Sequence, residues 1–99
     1  VKVVIAISAK LDLIGIGDYI QPYNPERAAS FVDELLGHCQ TLAESPRRHP
    51  LVPRYENHGI RRCVHDDYLI FYRVGPELVE VIHILHGAQD YEPLLFPSG

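Results

Sequence analysis

The sequence predicts an α+β fold of order βααβββ, a single domain over residues 1–99 with an antiparallel sheet packed by an N-terminal helical hairpin. Three observations predict it. A short β-branched run opens the chain, apolar residues then recur at three- and four-residue intervals as far as Leu42, and beyond Gly59 the period switches to two. With 99 residues, 46% of them hydrophobic and 22% charged, the chain suits one modest core and is too apolar to stay disordered.

Lys2–Ile7 is β-branched and apolar, as in a strand buried on both faces. It is far short of the ~20 residues a bilayer span needs, and it lacks the charged, apolar and small-residue order of a signal peptide. The chain holds no Met, so a start residue is expected to have been removed. Ser8 is placed to cap a helix running through Gln21, its hydroxyl accepting from free backbone N–H groups. Leu11, Ile14 and Asp18 fall on one stripe of that helix, and Leu13, Ile16, Gly17 and Ile20 on the next. Gly15 and Gly17 each cost about 1 kcal/mol against Ala in a helix interior, which close packing of another backbone would justify.

Pro22-Tyr23-Asn24-Pro25 is a turn, with Asn24 as N-cap, Pro25 at the first helical position and Glu26 at the positive dipole end. Ala28, Phe31, Val32, Leu35, Leu36, Cys39 and Leu42 then form one apolar face. Ser45-Pro46 ends this helix, giving a helical hairpin over residues 9–44. Residues 45–58 hold Pro46, Pro50 and Pro53 and are expected to form a long surface loop. Three strands over 59–86 follow, joined by turns at Asp66-Asp67 and Gly75-Pro76-Glu77 and therefore antiparallel. A C-terminal tail over 87–99 includes a short helical turn at Asp90–Leu95, and Leu94, Leu95 and Phe96 are expected to close the core.

The net charge of −4 argues against a protein that coats nucleic acid. The balance is uneven, however. Five of the nine cationic side chains (Arg47, Arg48, Arg54, Arg61 and Arg62) lie between positions 47 and 62, where Glu56 is the one acid. His49, His58 and His65 lie in or just beyond that stretch. Tyr55, Tyr68, Tyr72 and Tyr91 accompany Arg54, Arg61, Arg62 and Arg73, a mixture that suits either base stacking and phosphate binding or the edge of a strand-rich core.

Other chemistry is weakly signalled. Cys39 and Cys63 have neither zinc nor CxxC spacing and read as ordinary thiols of a cytoplasmic protein. Cys39 follows His38, but adjacent helical residues diverge and form no working dyad. On a strand, His83 and His86 point to opposite faces. Asp66-Asp67 reads as a solubilising turn. Ser8, Thr41, Ser45 and Ser98 lack a nucleophile-elbow context, and no phosphate-cradling glycine loop is present. No metal and no cofactor are expected.

An ordered set of motifs over residues 2–95 resembles the RelE/ParE superfamily of toxins. Ser8-Ala9-Lys10-Leu11-Asp12-Leu13 with Ile16 and Tyr19-Ile20 is similar to the family's opening, and Pro25 with Ala28-Ala29 to its second-helix signature. Leu42 with Ser45-Pro46 resembles the helix exit. Ile60-Arg61-Arg62 with Tyr68–Arg73 looks like the family's hairpin, and Val81–Gly87 with Asp90 like its ending. The resemblance implies a toxin of a type II toxin–antitoxin (plasmid stabilisation) system, silenced by the C-terminal segment of a ParD-like antitoxin. ParE-like members inhibit DNA gyrase, whereas RelE-like members cleave mRNA on the ribosome with basic residues and often a C-terminal tyrosine.

Cleaving RNA by 2′-OH attack needs a base, an acid and positive charge for the developing phosphorane. This chain is acidic, its two lysines, Lys2 and Lys10, lie outside the strand half, and Ala88-Gln89 stands where the family often has arginines. The expected function is therefore gyrase inhibition without enzymatic activity, in the cytoplasm, with no membrane partner and no sequence-specific DNA binding by this chain alone. Arg47, Arg48, Arg54, Arg61, Arg62, Tyr72 and Arg73 are the expected contacts to antitoxin and target. An mRNA interferase is the alternative, with Tyr91, Arg61, Arg62 and His86 as its catalytic candidates and phosphate binding by Arg61 or Arg62. A non-toxic antitoxin-binding domain is the third reading. Arg47-Arg48-His49 stands where the family usually has a glycine soon after the loop proline, a departure within the proposed contact surface.

Overall fold

The computed structural model describes residues 1–97, so Ser98 and Gly99, the end of the expected tail, lie outside the described residues. The elements are β1 (Lys2–Ile5), α1 (Ile7–Ile20), α2 (Pro25–Thr41), a single 3₁₀ turn (Glu56–His58), β2 (Ile60–His65), β3 (Tyr68–Val74), β4 (Leu78–His86) and α3 (Glu92–Leu95). The four strands form one sheet of order β1-β4-β3-β2. The β2–β3 and β3–β4 pairs are antiparallel as expected, but β1 runs parallel to β4, Lys2 opposite Leu78 and Ile5 opposite Val81. The sheet is therefore mixed. Two successive hairpins give β2 and β4 the same direction. The path through α1, α2 and the following loop returns the chain to the end of the sheet where β1 begins. Hydropathy period carries no information about that return.

Asn24 caps α2 as expected, its Oδ1 accepting from the Arg27 N–H at 3.1 Å, with Pro25 at the helix start. Buried Phe31, Leu35 and Cys39 of α2 and Ala9, Leu13 and Ile16 of α1 pack on Cys63, Ile70, Tyr72, Val79, Val81 and Ile84 of the sheet. The α1 stripe is narrower than its sequence suggests, since Leu11 and Ile14 are 63% and 60% exposed. Ser8 does not cap α1 either. The N-cap is Ala6, and the Ser8 hydroxyl donates to the Ile82 carbonyl at 2.5 Å.

That contact has a local cause. Tyr72 faces Val81 while Phe71 faces His83, so Ile82 is the extra residue of a β-bulge. Val81 and Ile82 then offer consecutive carbonyls toward the same side, one taken by the Ala6 N–H and the other by Ser8. Beyond the end of β1, a side chain of α1 continues the pairing. The Asp12 carboxylate accepts from the Ile84 N–H at 2.9 Å and pairs with His83 Nδ1 at 2.7 Å.

Space at Gly15 makes a stability prediction. A Cβ there meets nothing within 4 Å, so close packing does not account for this glycine. Gly15→Ala is expected to stabilise the isolated protein by about 0.5–1 kcal/mol; an unchanged or lowered melting temperature would count against it.

A second cluster covers the opposite sheet face. Val52, Ile60, Phe71, Leu85 and Phe96 are buried there, with Tyr55, Leu69, Ile82, Tyr91 and Leu95 packed around them. Here the loop 45–58 departs from the free surface loop expected. Val52 is fully buried, its N–H bonds the Ile60 carbonyl, and the Arg62 N–H bonds the Pro50 carbonyl. The loop thus runs as an extra rail along β2. Phe96 closes the cluster as expected and Leu95 packs against it, but Leu94, expected to join them, is exposed, because one short turn of helix points it away from the cluster. Among the described residues no helix is long and apolar enough to cross a membrane.

Candidate functional site

Strand alternation divides the arginines into two sets. Arg61 lies opposite Tyr72, and Arg62 opposite Phe71, so successive side chains take opposite faces of β2. Arg61 Nη1 donates to the carbonyls of Arg47 and His49, at 3.1 and 2.7 Å. Tyr72 is fully buried, and its hydroxyl donates to the Pro46 carbonyl at 2.7 Å. Both side chains clamp the start of the loop. The expectation that Tyr72 contacts a partner is corrected here, because burial and that hydrogen bond leave it no exposed face. The side chains of Arg47 and Arg48 are left exposed with no hydrogen bond or ion pair among the described residues.

On the other face, Arg62 Nη1 donates to the Tyr91 hydroxyl at 2.7 Å, and the Tyr91 ring packs on Phe71 with centroids 4.9 Å apart. Arg54 pairs with Glu92 at 2.8 Å, and Arg73 reaches the His58 carbonyl at 3.4 Å. Tyr55 stacks on Phe96 with centroids 3.9 Å apart and planes within 2°. A rim of arginines and aromatics therefore surrounds the second cluster.

The four nuclease candidates do not converge. Arg62 and Tyr91 meet, but Arg61 lies on the other face of β2. His86 pairs with Tyr68, three residues along β3 from the partner of Arg62, and its Nδ1 accepts from the Ala88 N–H. His83 is taken up by Asp12, so the two histidines of the HxxH pair act separately. Burial pushes the Cys39 thiol up to about 12 and raises Cys63 as well, which keeps both protonated and unreactive.

Two features were missed in the sequence. The Asp12–His83 contact joins residues 71 apart, which no local spacing signals. The second is a groove of about 640 Å³ between α1 and α2, lined by Leu13, Ile14, Gly17, Ala28, Val32 and Leu36 among others. The exposure of Ile14 follows from it, and Gly17 lies where α1 meets Val32 of α2, a Cβ there falling 3.6 Å from the Val32 side chain. Lys10, Asp18 and Asp33 stand at its margin.

Comparison with known proteins gives concordant results. The family model for the ParE toxin of the type II toxin–antitoxin system parDE matches residues 3–91. Toxin ParE1 of Caulobacter vibrioides is 37% identical over 86 residues, covering 83% of this chain and 84% of that protein. Among solved structures, the chromosomal ParDE system of P. aeruginosa superposes with a TM-score of 0.75 at 18% identity, over 86% of this chain and 94% of that one. The toxin–antitoxin complex RelBE2 of Mycobacterium tuberculosis superposes with a TM-score of 0.58 at 23% identity, over 86% and 95%. These two likenesses concern the fold.

Proposed function

We infer the function from one premise: this chain belongs to the ParE family of toxins of type II toxin–antitoxin systems. It inhibits DNA gyrase in the cytoplasm and is neutralised by a ParD-like antitoxin. The observation that carries gyrase over the ribosome is the dispersal of Tyr91, Arg61, Arg62 and His86. Phosphoryl transfer to a 2′-OH needs its base, acid and phosphate-binding cation around one atom, and these four side chains occupy two faces and two ends of the sheet.

The antitoxin reading rests on the apolar groove and the exposed arginines. An amphipathic helix with its apolar face in the α1–α2 groove covers Ile14, and acidic side chains on the antitoxin face Arg47 and Arg48. Arg54, Arg62 and Arg73 form the rim offered to a partner on the other face. Arg61 contributes indirectly, by holding the loop that carries Arg47 and Arg48.

Gyrase supercoiling with purified toxin, run beside an assay that maps cuts in translated mRNA, tests this function. Inhibited supercoiling with accumulating cleaved DNA and intact mRNA is the expected result. Codon-phased mRNA cuts with unaffected gyrase would transfer the chain to the interferases. A folded protein with neither activity, yet binding its antitoxin, would leave the non-toxic interaction domain.

A further inference from the structure

A cluster of donors outside the arginine surface has no role in the function above. Glu34 of α2, His65 at the end of β2 and Asp66 in the β2–β3 turn each bring one ligand atom to within 4.8 Å of the others. Asp66 adopts a φ of 52°, at the first position of the tight turn. His65 Nε2 is buried, has no hydrogen-bond partner, and lies 3.9 Å from Glu34 Oε1. Arg27 holds that carboxylate through both oxygens, Nη1 donating to Oε2 and Nη2 more loosely to Oε1 at 3.4 Å, so Oε1 lies between the guanidinium and the histidine.

The second nitrogen of His65 is engaged. Its Nδ1 lies 2.8 Å from His38 Nδ1, and His38 Nε2 lies 3.3 Å from Cys63 Sγ. With both rings neutral, two proton arrangements satisfy this chain. In one, His38 donates to His65 and the unpartnered Nε2 carries the proton. In the other, His65 Nδ1 donates to His38, His38 Nε2 donates to the Cys63 sulfur, and a lone pair is left at His65 Nε2. The second is the arrangement of a metal-ligating histidine, whose remaining N–H is fixed by an outer partner.

We propose that Glu34, His65 and Asp66 bind a borderline divalent cation of the Zn²⁺ class, with His38 as the positioning residue behind His65. Two donors on one tetrahedral zinc, at bond lengths of about 2.0–2.2 Å, are separated by about 3.4 Å. The 3.9 Å between His65 Nε2 and Glu34 Oε1 closes to that value with a small rotation of an exposed glutamate. One imidazole and two carboxylates favour Zn²⁺ over Mg²⁺ or Ca²⁺, which take oxygen ligands. The two carboxylates outweigh the single guanidinium of Arg27, so the site attracts a cation. Three protein ligands leave a fourth position to water. The bound ion ties the middle of α2 to the β2–β3 turn, adding to the hydrogen bond between His38 and His65.

The test uses the full, tag-free chain and Zn²⁺ alone, titrated in competition with a chromophoric chelator. A parallel series of melting curves is recorded with and without the ion. One equivalent is expected to bind and to raise the melting temperature. Glu34→Gln and Asp66→Asn are each expected to weaken binding at least tenfold while preserving the fold, since both side chains are exposed and Asn tolerates the positive φ. Arg27→Gln is expected to tighten binding by freeing Glu34, and His86→Ala to leave it unchanged. Absence of stoichiometric binding would overturn the proposal. So would affinity that survives both carboxylate variants, or Mg²⁺ that competes equally. None of these readouts involves gyrase or an antitoxin, so the site stands or falls separately from the toxin's target.

Discussion

Phe96→Ala is expected to lower stability by about 3 kcal/mol, the usual cost of truncating a buried aromatic ring, and to loosen a loop forty residues earlier in the chain. Phe96 is 4% exposed and lies face to face with Tyr55, with the His58 ring against its edge. It closes the cluster that holds Val52, so its removal leaves both sides of that cluster incomplete. For a domain of this size, such a loss lowers the melting temperature by roughly 10–20 °C. Hydrogen exchange locates the effect: the Val52 amide, bonded to the Ile60 carbonyl, should lose protection far more than the amides of α2. Equal protection at Val52 in variant and wild type would show that the tail and the loop are independent.

Asp12→Ala should cost about 2–3 kcal/mol through a different mechanism, the loss of hydrogen bonds to a charged group and the orphaning of a buried donor. The carboxylate is the partner of both the Ile84 N–H and the His83 ring, and Ile84 is 1% exposed. Asp12→Asn retains an acceptor oxygen for the Ile84 N–H, so a loss of about 1 kcal/mol is expected, within the range of one hydrogen bond. Thermal or denaturant unfolding of the two variants distinguishes them. Equal destabilisation would assign the effect to charge rather than to the backbone contact, and no destabilisation in either would remove Asp12 from the account of how α1 is docked.

The parts of this fold that were legible in the sequence are those whose causes are local. Asn24-Pro25 starts a helix because a side-chain acceptor and a missing N–H act within one turn. Asp66-Asp67 turns the chain between two strands of alternating pattern, and the register His65 opposite Tyr68 follows from it. What the sequence withheld depends on residues far apart. Ser8 has the chemistry of a cap, and only the bulge at Ile82 redirects its hydroxyl. Pro46, Pro50 and Pro53 signal a loop correctly, but Val52 between them is a core residue, a role set by Ile60 and Phe96.

The same distinction runs through the candidate site. The arginine-rich stretch was visible by count, whereas its division into a loop clamp at Arg61 and a sheet-face rim at Arg62 required strand alternation and the path of the loop. Tyr72 looked like a member of the surface set because it lies in the same motif. Its position opposite Arg61, on the helix-covered face of a central strand, makes it part of the core. The histidine chain from Cys63 to His65 joins α2 to β2 across 25 and 27 residues, a separation at which spacing has no meaning.

The parallel pairing of β1 with β4 has a consequence for how this chain is made. Lys2 meets Leu78, and the strand that lies between β1 and β3 is the last of the four to be synthesised. At translation rates of about 5–20 residues per second, the first strand and α1 wait seconds for the strand that joins them to the sheet. Local contacts of the helical hairpin can form early, but closing the longest loop comes late because its entropy must be met before the contacts repay it. A nascent chain stalled before Leu78 presents Ala9, Leu13 and Ile16 of α1 without the strand that α1 packs on. Such exposed apolar surface is what makes incomplete chains prone to aggregate, and the sheet is complete only once β4 has been made.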